Sequence, residues 1–269
     1  MLRSITLGQY YQTQSPIHRL DPRCKLVATF CFIVSLFLIK GFAGFIVAAA
    51  FILLMIKLSI VPFKFIVRGM KVIVFLLLFA VTFNLFLTPG EPAISFWKLT
   101  ITWEGIHMAA FLTIRLVLLI MGSSLMTLTT TPNNLTDGLE KLMKPLKVIR
   151  VPVHEVAMMM SIALRFIPIL LEETDKIMKA QIARGADFES GNMIKRAKSL
   201  VPLLVPLFIS AFRRANDLAM AMEARCYRGG DMRTKMKPLI YKKSDGLAYL
   251  CLLLYMVAAI WVGRFVLWT

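Results

Sequence analysis

The sequence predicts an all-α, polytopic membrane protein with about five transmembrane helices and a cytoplasmic domain of about three amphipathic helices. Two observations carry that expectation. Apolar residues make up 58% of the 269-residue chain and fall in uninterrupted runs, with a mean hydropathy of +0.72. A soluble core of this size cannot bury them all, whereas a bilayer accommodates stretches of about 20 apolar residues. The second observation is charge: 32 Lys and Arg stand against 15 Asp and Glu, with a pI near 10.1. Such a balance first suggests nucleic acid. Set between apolar runs, it reads instead as loops held on the cytoplasmic side. The expected surroundings are therefore the lipid bilayer, with no nucleic acid.

Residues 1–25 are polar and basic, and form the expected cytoplasmic N-terminal segment. The first apolar run begins near Leu26 with no small-residue cleavage pattern behind it, so no cleaved signal is expected. Residues 26–131 hold four expected spans. Leu26–Ile39 and Phe42–Ile56, separated by Lys40-Gly41, are each short for a crossing of about 30 Å. They read as two short spans or as one long tilted helix. A basic loop with Lys57, Lys64, Arg68 and Lys71 follows, and then the span Val72–Leu87. Thr88–Glu104 carries Glu91, Glu104 and only Lys98, which suits the outside, and Gly105–Leu128 is the fourth span.

Residues 132–245 hold most of the remaining Lys and Arg and form the expected cytoplasmic domain, before a last span in 246–269 with interfacial Trp261 and Trp268. Thr131-Pro132-Asn133-Asn134 marks a helix start with Thr or Asn as cap. Leu135, Leu139 and Leu142-Met143 give that helix an apolar stripe. Two longer helices, Val153–Ala183 and Ser199–Cys226, begin apolar and end charged. Pro168, Pro202 and Pro206 kink them or mark their first turns. Such helices suit the membrane interface, with their charged tips in the cytoplasm.

Catalytic and metal-binding patterns are missing. No phosphate-binding Gly-x-x-x-x-Gly-Lys-Ser/Thr is present, and no Gly-x-Ser-x-Gly elbow. His154-Glu155 starts a metalloprotease-like pair, but Met158 stands where the second histidine belongs. His18 and His107 are isolated, and Cys24, Cys31, Cys226 and Cys251 have neither zinc nor disulfide spacing. The expectation is no enzyme, no metal and no cofactor. Arg115 lies well inside a span, where a charge is costly unless paired. It reads as structural, bonded to Asn84, Thr82 or backbone carbonyls of a neighbouring helix, rather than as part of a solute path. Asn84 and Thr113 read as contacts between helices.

Two helix ends are alike: Ala183-Arg184-Gly185 and Ala224-Arg225-Cys226. Alanine keeps the tip narrow, arginine offers a planar fork for carboxylates, and glycine ends a helix in left-handed conformation at little cost. A cation in a last helical turn also favours the helix dipole by some tenths of a kcal/mol. One such tripeptide would mean little, but two, each closing an amphipathic helix, suggest knobs for two similar sockets. Cysteine is poorer than glycine at positive φ. The second helix is therefore expected to run about one turn further and stop at Gly229, ahead of Gly230.

These features resemble the EcfT/CbiQ family, the transmembrane coupling component of energy-coupling factor (ECF) transporters. The likeness runs through Leu20-Asp21-Pro22-Arg23-x-Lys25-Leu26, Thr131-Pro132 and Leu135-Thr136-Asp137-Gly138-Leu139. It continues in Pro152-Val153-His154-Glu155, Leu164-Arg165-Phe166-Ile167-Pro168 and both Ala-Arg tripeptides, so that it covers essentially the whole chain. Length and N-terminal motif look more like the shared-module EcfT than the dedicated cobalt-type member. The resemblance implies a non-catalytic subunit in a bacterial plasma membrane, with a cytoplasmic N-terminus. It implies two ABC-type ATPase subunits as partners and a separate substrate-specific membrane subunit that captures a vitamin or other micronutrient. By that likeness Arg184 and Arg225 dock in grooves of the two ATPases, and residues 132–245 form a coupling domain. ATPase closure would move the two helices, and their apolar beginnings, Met158–Leu171 and Leu200–Phe212, would pass the motion on. The unequal tips, Gly185 against Cys226, point to two different sockets.

Aligning the tips sets Glu172-Glu173 of one helix against Arg213-Arg214 of the other. If the helices cross at that level, these charges either latch them or stay solvated. A self-contained secondary transporter or channel is the alternative, and it would need polar groups at mid-bilayer, where only Arg115 and Asn84 are offered. A membrane enzyme would need an acid–base or metal cluster, which the sequence does not contain.

Overall fold

The computed structural model describes residues 10–39, 41–96, 99–188, 198–229 and 238–265, together with Asn192, Ile194 and Met236. Residues 1–9, Lys40, Lys98, Gly230 and Trp268, which figure above, lie outside them. The helices are α1 (Pro22–Leu38), α2 (Phe42–Ser59), α3 (Phe63–Leu87), α4 (Trp103–Thr129), α5 (Pro132–Leu142), α6 (Val153–Ala183), α7 (Val201–Ala224) and α8 (Lys243–Phe265). A short 3-10 helix, Lys144–Ile149, follows α5, and strands β1 (Pro92–Phe96) and β2 (Leu99–Thr102) lie between α3 and α4. The chain divides into two compact units. One contains α1–α5 and α8, and the other, within residues 143–238, contains α6 and α7.

Residues 26–56 are two helices, not one tilted helix. Ile39 caps α1 in extended conformation, and Gly41, also extended at φ −125°, opens α2. The third helix starts at Phe63 behind Pro62, well before the apolar stretch that begins at Val72. Lys64, Arg68 and Lys71 therefore lie on its first turns. Charge there does not break a helix; it only lowers the local hydropathy by which a span is recognised in sequence. The antiparallel pairing of β1 and β2, with Phe96 opposite Leu99 and Ile94 opposite Ile101, is an addition to the all-α expectation. Its β-branched and aromatic residues suit strands.

Among the described residues, four helices are long and apolar enough to cross a membrane: α2, α4, α6 and Lys243–Val262 of α8. At 17 residues, α1 measures about 26 Å at 1.5 Å per residue, short for a hydrocarbon core. The presence of α6 reflects its composition, since most of its charge follows Leu171.

In the first unit α1 and α4 run antiparallel, because Lys25 Nζ donates to the Thr129 carbonyl at 2.8 Å and Arg115 reaches the Ile39 carbonyl. Between α1 and α8, Asp21 meets Asp245 and Ser35 meets Tyr255 (Oγ to phenol oxygen, 2.6 Å), so these two are parallel. The core between α1, α2, α4 and α8 holds Phe32, Leu36, Phe45, Ala48, Ile52, Leu118, Leu125, Leu252 and Tyr255. Phe51 stacks on Tyr255 with centroids 4.3 Å apart. This arrangement gathers Arg19, Arg23, Lys25, Lys57, Lys64, Lys242 and Lys243 at the end where α1, α3 and α8 begin and α2 and α4 finish. Glu91 and Glu104 lie at the opposite end, where Glu104 accepts the Glu91 backbone N–H at 2.9 Å.

Candidate functional site

The two tips are built alike down to the backbone. Arg184 ends α6 at φ −89°, ψ 10°, and Arg225 ends α7 at φ −90°, ψ 15°. The next residue is left-handed in both, Gly185 at φ 84° and Cys226 at φ 56°. Ala186 N–H then bonds to the Gln181 carbonyl and Gly185 N–H to Ile182, both at 2.9 Å. In the second copy Tyr227 N–H bonds to Met222 at 3.0 Å and Cys226 N–H to Glu223 at 2.8 Å. This paired pattern satisfies carbonyls that a helix end otherwise leaves open. Both arginines are exposed.

The expected extra turn to Gly229 is therefore absent, because α7 stops at Ala224. The two closing hydrogen bonds offset the roughly 1–2 kcal/mol by which a side chain disfavours the left-handed region. Gly229, at φ 91°, forms a second left-handed position in the segment that follows. Cys226→Gly is accordingly expected to stabilise the purified protein by up to about 1 kcal/mol, and Gly185→Ala to destabilise it by a similar amount. A Cβ at Gly185 would meet nothing within 4 Å, so that cost is purely backbone. Thermal unfolding of both variants is the measurement; shifts in the same direction would contradict the strain argument.

Below the tips, α6 and α7 are joined by charge. Arg214 makes an ion pair with Glu173, whose other oxygen accepts the Ser210 hydroxyl at 2.7 Å. Glu172 and Arg213 are exposed, and among the described residues no ion pair joins them. Gln181, eight residues beyond Glu173, reaches back to the Pro202 carbonyl at 3.4 Å. The helices thus run in opposing senses, and their tips lie at opposite ends of the pair. Each tip arginine stands eleven residues past its member of the ion pair, or about 16 Å along a helix. Outward from the pair, α7 exposes Leu204, Val205, Phe208, Ile209 and Phe212, each more than half open.

In the other unit, a polar cluster surrounds the start of α1. Asp21 caps the helix and accepts from Arg23 backbone N–H (2.9 Å), Nε (3.0 Å) and Nη2 (2.8 Å). Burial pushes the Asp21 carboxyl up, but the hydrogen bonds and charge of Arg23, with Lys25 behind it, pull harder, and the net direction is down. Asp245, 1% exposed, accepts the Asp21 N–H at 2.8 Å and the Lys242 N–H at 2.7 Å. Burial also lowers His18, favouring the neutral ring that sits between the Ser15 hydroxyl (2.7 Å) and the Tyr11 carbonyl (3.1 Å).

Comparison with known proteins decides the family. Residues 13–236 match the family CbiQ, described as cobalt transport protein. A Clostridium kluyveri protein named energy-coupling factor transporter transmembrane protein EcfT is 55% identical over 270 residues, covering 98% of this chain and all of the relative. Its namesake from Thermosediminibacter oceani is 53% identical, again over 98% of this chain and the whole relative. The one from Bacillus subtilis is 47% identical over 91% of this chain and 93% of the relative. The chain belongs to the CbiQ/EcfT family.

In this EcfT-like chain Arg115 is held structurally. Its Nη2 donates to the Ile39 carbonyl at 3.3 Å, and its guanidinium lies 4.7 Å from the Phe111 ring centroid and 5.5 Å from that of Phe37. Asn84 and Thr82 bond instead to the Ala80 and Leu78 carbonyls of their own helix. Asp245 escaped the sequence reading. Its signal was faint: an acidic residue in the first turn of an apolar helix, which the helix dipole explains without a partner.

Proposed function

We propose that the chain is the non-catalytic coupling subunit of an ECF-type importer. Two ABC-type ATPase subunits dock on the Arg184 and Arg225 tips, and a separate substrate-specific membrane subunit delivers a vitamin or other micronutrient. The observation that carries this reading is the pair of exposed arginines on matched helix ends, borne by helices that the Glu173–Arg214 ion pair joins. Acidic grooves on the ATPases would receive the guanidinium forks bidentately. When the ATPases close on ATP, the two tips move and the α6–α7 pair turns about Glu173–Arg214. The exposed apolar side chains of α7 then pass that motion to the substrate-binding subunit. The positive end of the membrane unit faces the cytoplasm of a bacterial cell, which also puts the N-terminus inside.

Affinity purification through a tag on this chain tests the proposal. Expressed with its partners, it should carry both ATPase subunits and a small membrane subunit. Reconstituted alone in liposomes, it should pass no solute. A chain that purifies without ATPases and conducts solute by itself would overturn the reading.

A further inference from the structure

The unit bearing the arginine tips is joined to the membrane helices by two stretches of chain, one leaving through α5 and one returning before α8. Both are fastened to the same turn. On the outgoing side, Lys25 Nζ holds the Thr129 carbonyl at 2.8 Å, just before Thr131 caps α5 by accepting the Asn134 N–H (3.3 Å). There α5 lies so close to α1 that a Cβ added at Gly138 would stand 3.1 Å from Pro22 Cβ and 3.2 Å from Leu26 Cδ1. On the returning side, Arg23 Nη2 holds the Leu239 carbonyl at 3.2 Å, and the guanidinium lies 3.8 Å from the Tyr241 ring centroid. Asp245 clamps the Lys242 and Asp21 N–H groups together.

The turn itself is stiff. Pro22 fixes φ in the first helical turn, and Asp21 grips Arg23 through two side-chain hydrogen bonds, the geometry that best orients a guanidinium. Arg23 and Lys25 are two residues apart on a helix, about 200° around its axis, so they serve opposite sides. We propose that the Asp21–Lys25 turn is the joint through which motion of the arginine-tipped helices enters the membrane helices, with Arg23 and Lys25 as positioning residues that hold the two connections at one fixed point. A force on the tips then reaches α1 rather than being lost in slack connections. This rests on the coupling reading above.

The test uses the complete transporter, with both ATPases and the substrate-binding subunit, in liposomes, and reads substrate imported per ATP hydrolysed. Arg23→Ala should still assemble and hydrolyse ATP, while uptake per ATP falls about tenfold. Arg23→Lys, which keeps the charge but loses the fork, should fall between. Should Arg23→Ala fail to insert, Tyr241→Leu decides alone: it leaves the Asp21–Arg23 pair intact and should still lower the ratio. An unchanged ratio overturns the joint. A second arm replaces the four native cysteines by alanine and adds Pro22→Cys with Gly138→Cys, close to the Cβ spacing of about 3.5–4.5 Å that a disulfide needs. Oxidation should leave uptake at the level of the same variant when reduced, because a fixed joint loses nothing when locked. Uptake lost on oxidation and regained on reduction would show that α5 moves on α1, against the proposal. Failure of the coupling reading would look different, with no ATPases retained in the complex.

Discussion

Replacing Arg184 and Arg225 together by alanine is expected to leave the chain in the membrane while abolishing ATPase retention and substrate uptake. Both side chains are exposed, and their removal costs each helix only the few tenths of a kcal/mol of a favourable end charge. The closing hydrogen bonds are made by backbone groups of residues 181–186 and 222–227, which alanine leaves in place. What disappears is the proposed docking interface. A buried, hydrogen-bonded charge pair is worth about 2–5 kcal/mol when one partner is truncated, or roughly 30- to several-thousand-fold in affinity. Either single change should weaken retention of one ATPase, and the double change should remove both. Arg184→Lys should fall between, since lysine keeps the charge without the fork. Copurified ATPase and radiolabelled uptake are the measurements, with membrane-fraction blotting as the control for insertion. Full uptake by the double variant would sink the docking mechanism.

What the sequence revealed follows what each feature depends on. The bounds of α6, Val153–Ala183, were readable because composition changes sharply at both ends, with Pro152 before and Gly185 after. The cap of α5 was readable because Thr before Pro has a local meaning. Three features were not readable. The end of α7 turns on a balance between a strained Cys226 and hydrogen bonds closed by Tyr227 and Cys226 itself, and residue identity shows only the strain. Asp245 depends on Asp21, 224 residues away in sequence, and no local pattern reports such a partner. The hairpin β1–β2 lies in a loop where the few charges carry no sign of the pairing of Ile94 with Ile101 and Phe96 with Leu99. Long-range pairing is legible for Arg115, whose charge inside an apolar span demands a partner on a neighbouring helix, and for Glu173 and Arg214, where two similar helix ends supply a register.

That register yields a second large effect: Glu173→Arg or Arg214→Glu alone should sharply lower uptake, and the two together should restore most of it. Each single reversal sets like charges face to face between α6 and α7. Glu173→Arg also takes from the Ser210 hydroxyl the acceptor it now uses at 2.7 Å. The site is partly shielded, with side-chain exposures of 24% for Glu173 and 39% for Arg214. The attraction is therefore screened by solvent, and the expected coupling lies near the lower end of the 0.5–3 kcal/mol seen for residues in direct contact. Repulsion in the single variants is the larger effect on function, because in the proposed mechanism α6 and α7 keep one crossing point for tip motion to become rotation. In the double variant an arginine at 173 faces a glutamate at 214, and the serine hydroxyl accepts from the guanidinium instead of donating to a carboxylate. Glu172 and Arg213, exposed and without an ion pair between them among the described residues, provide the contrast: reversing them should change uptake little. A double variant as inactive as its worse parent would remove the ion pair from the mechanism and leave the helix crossing to apolar packing.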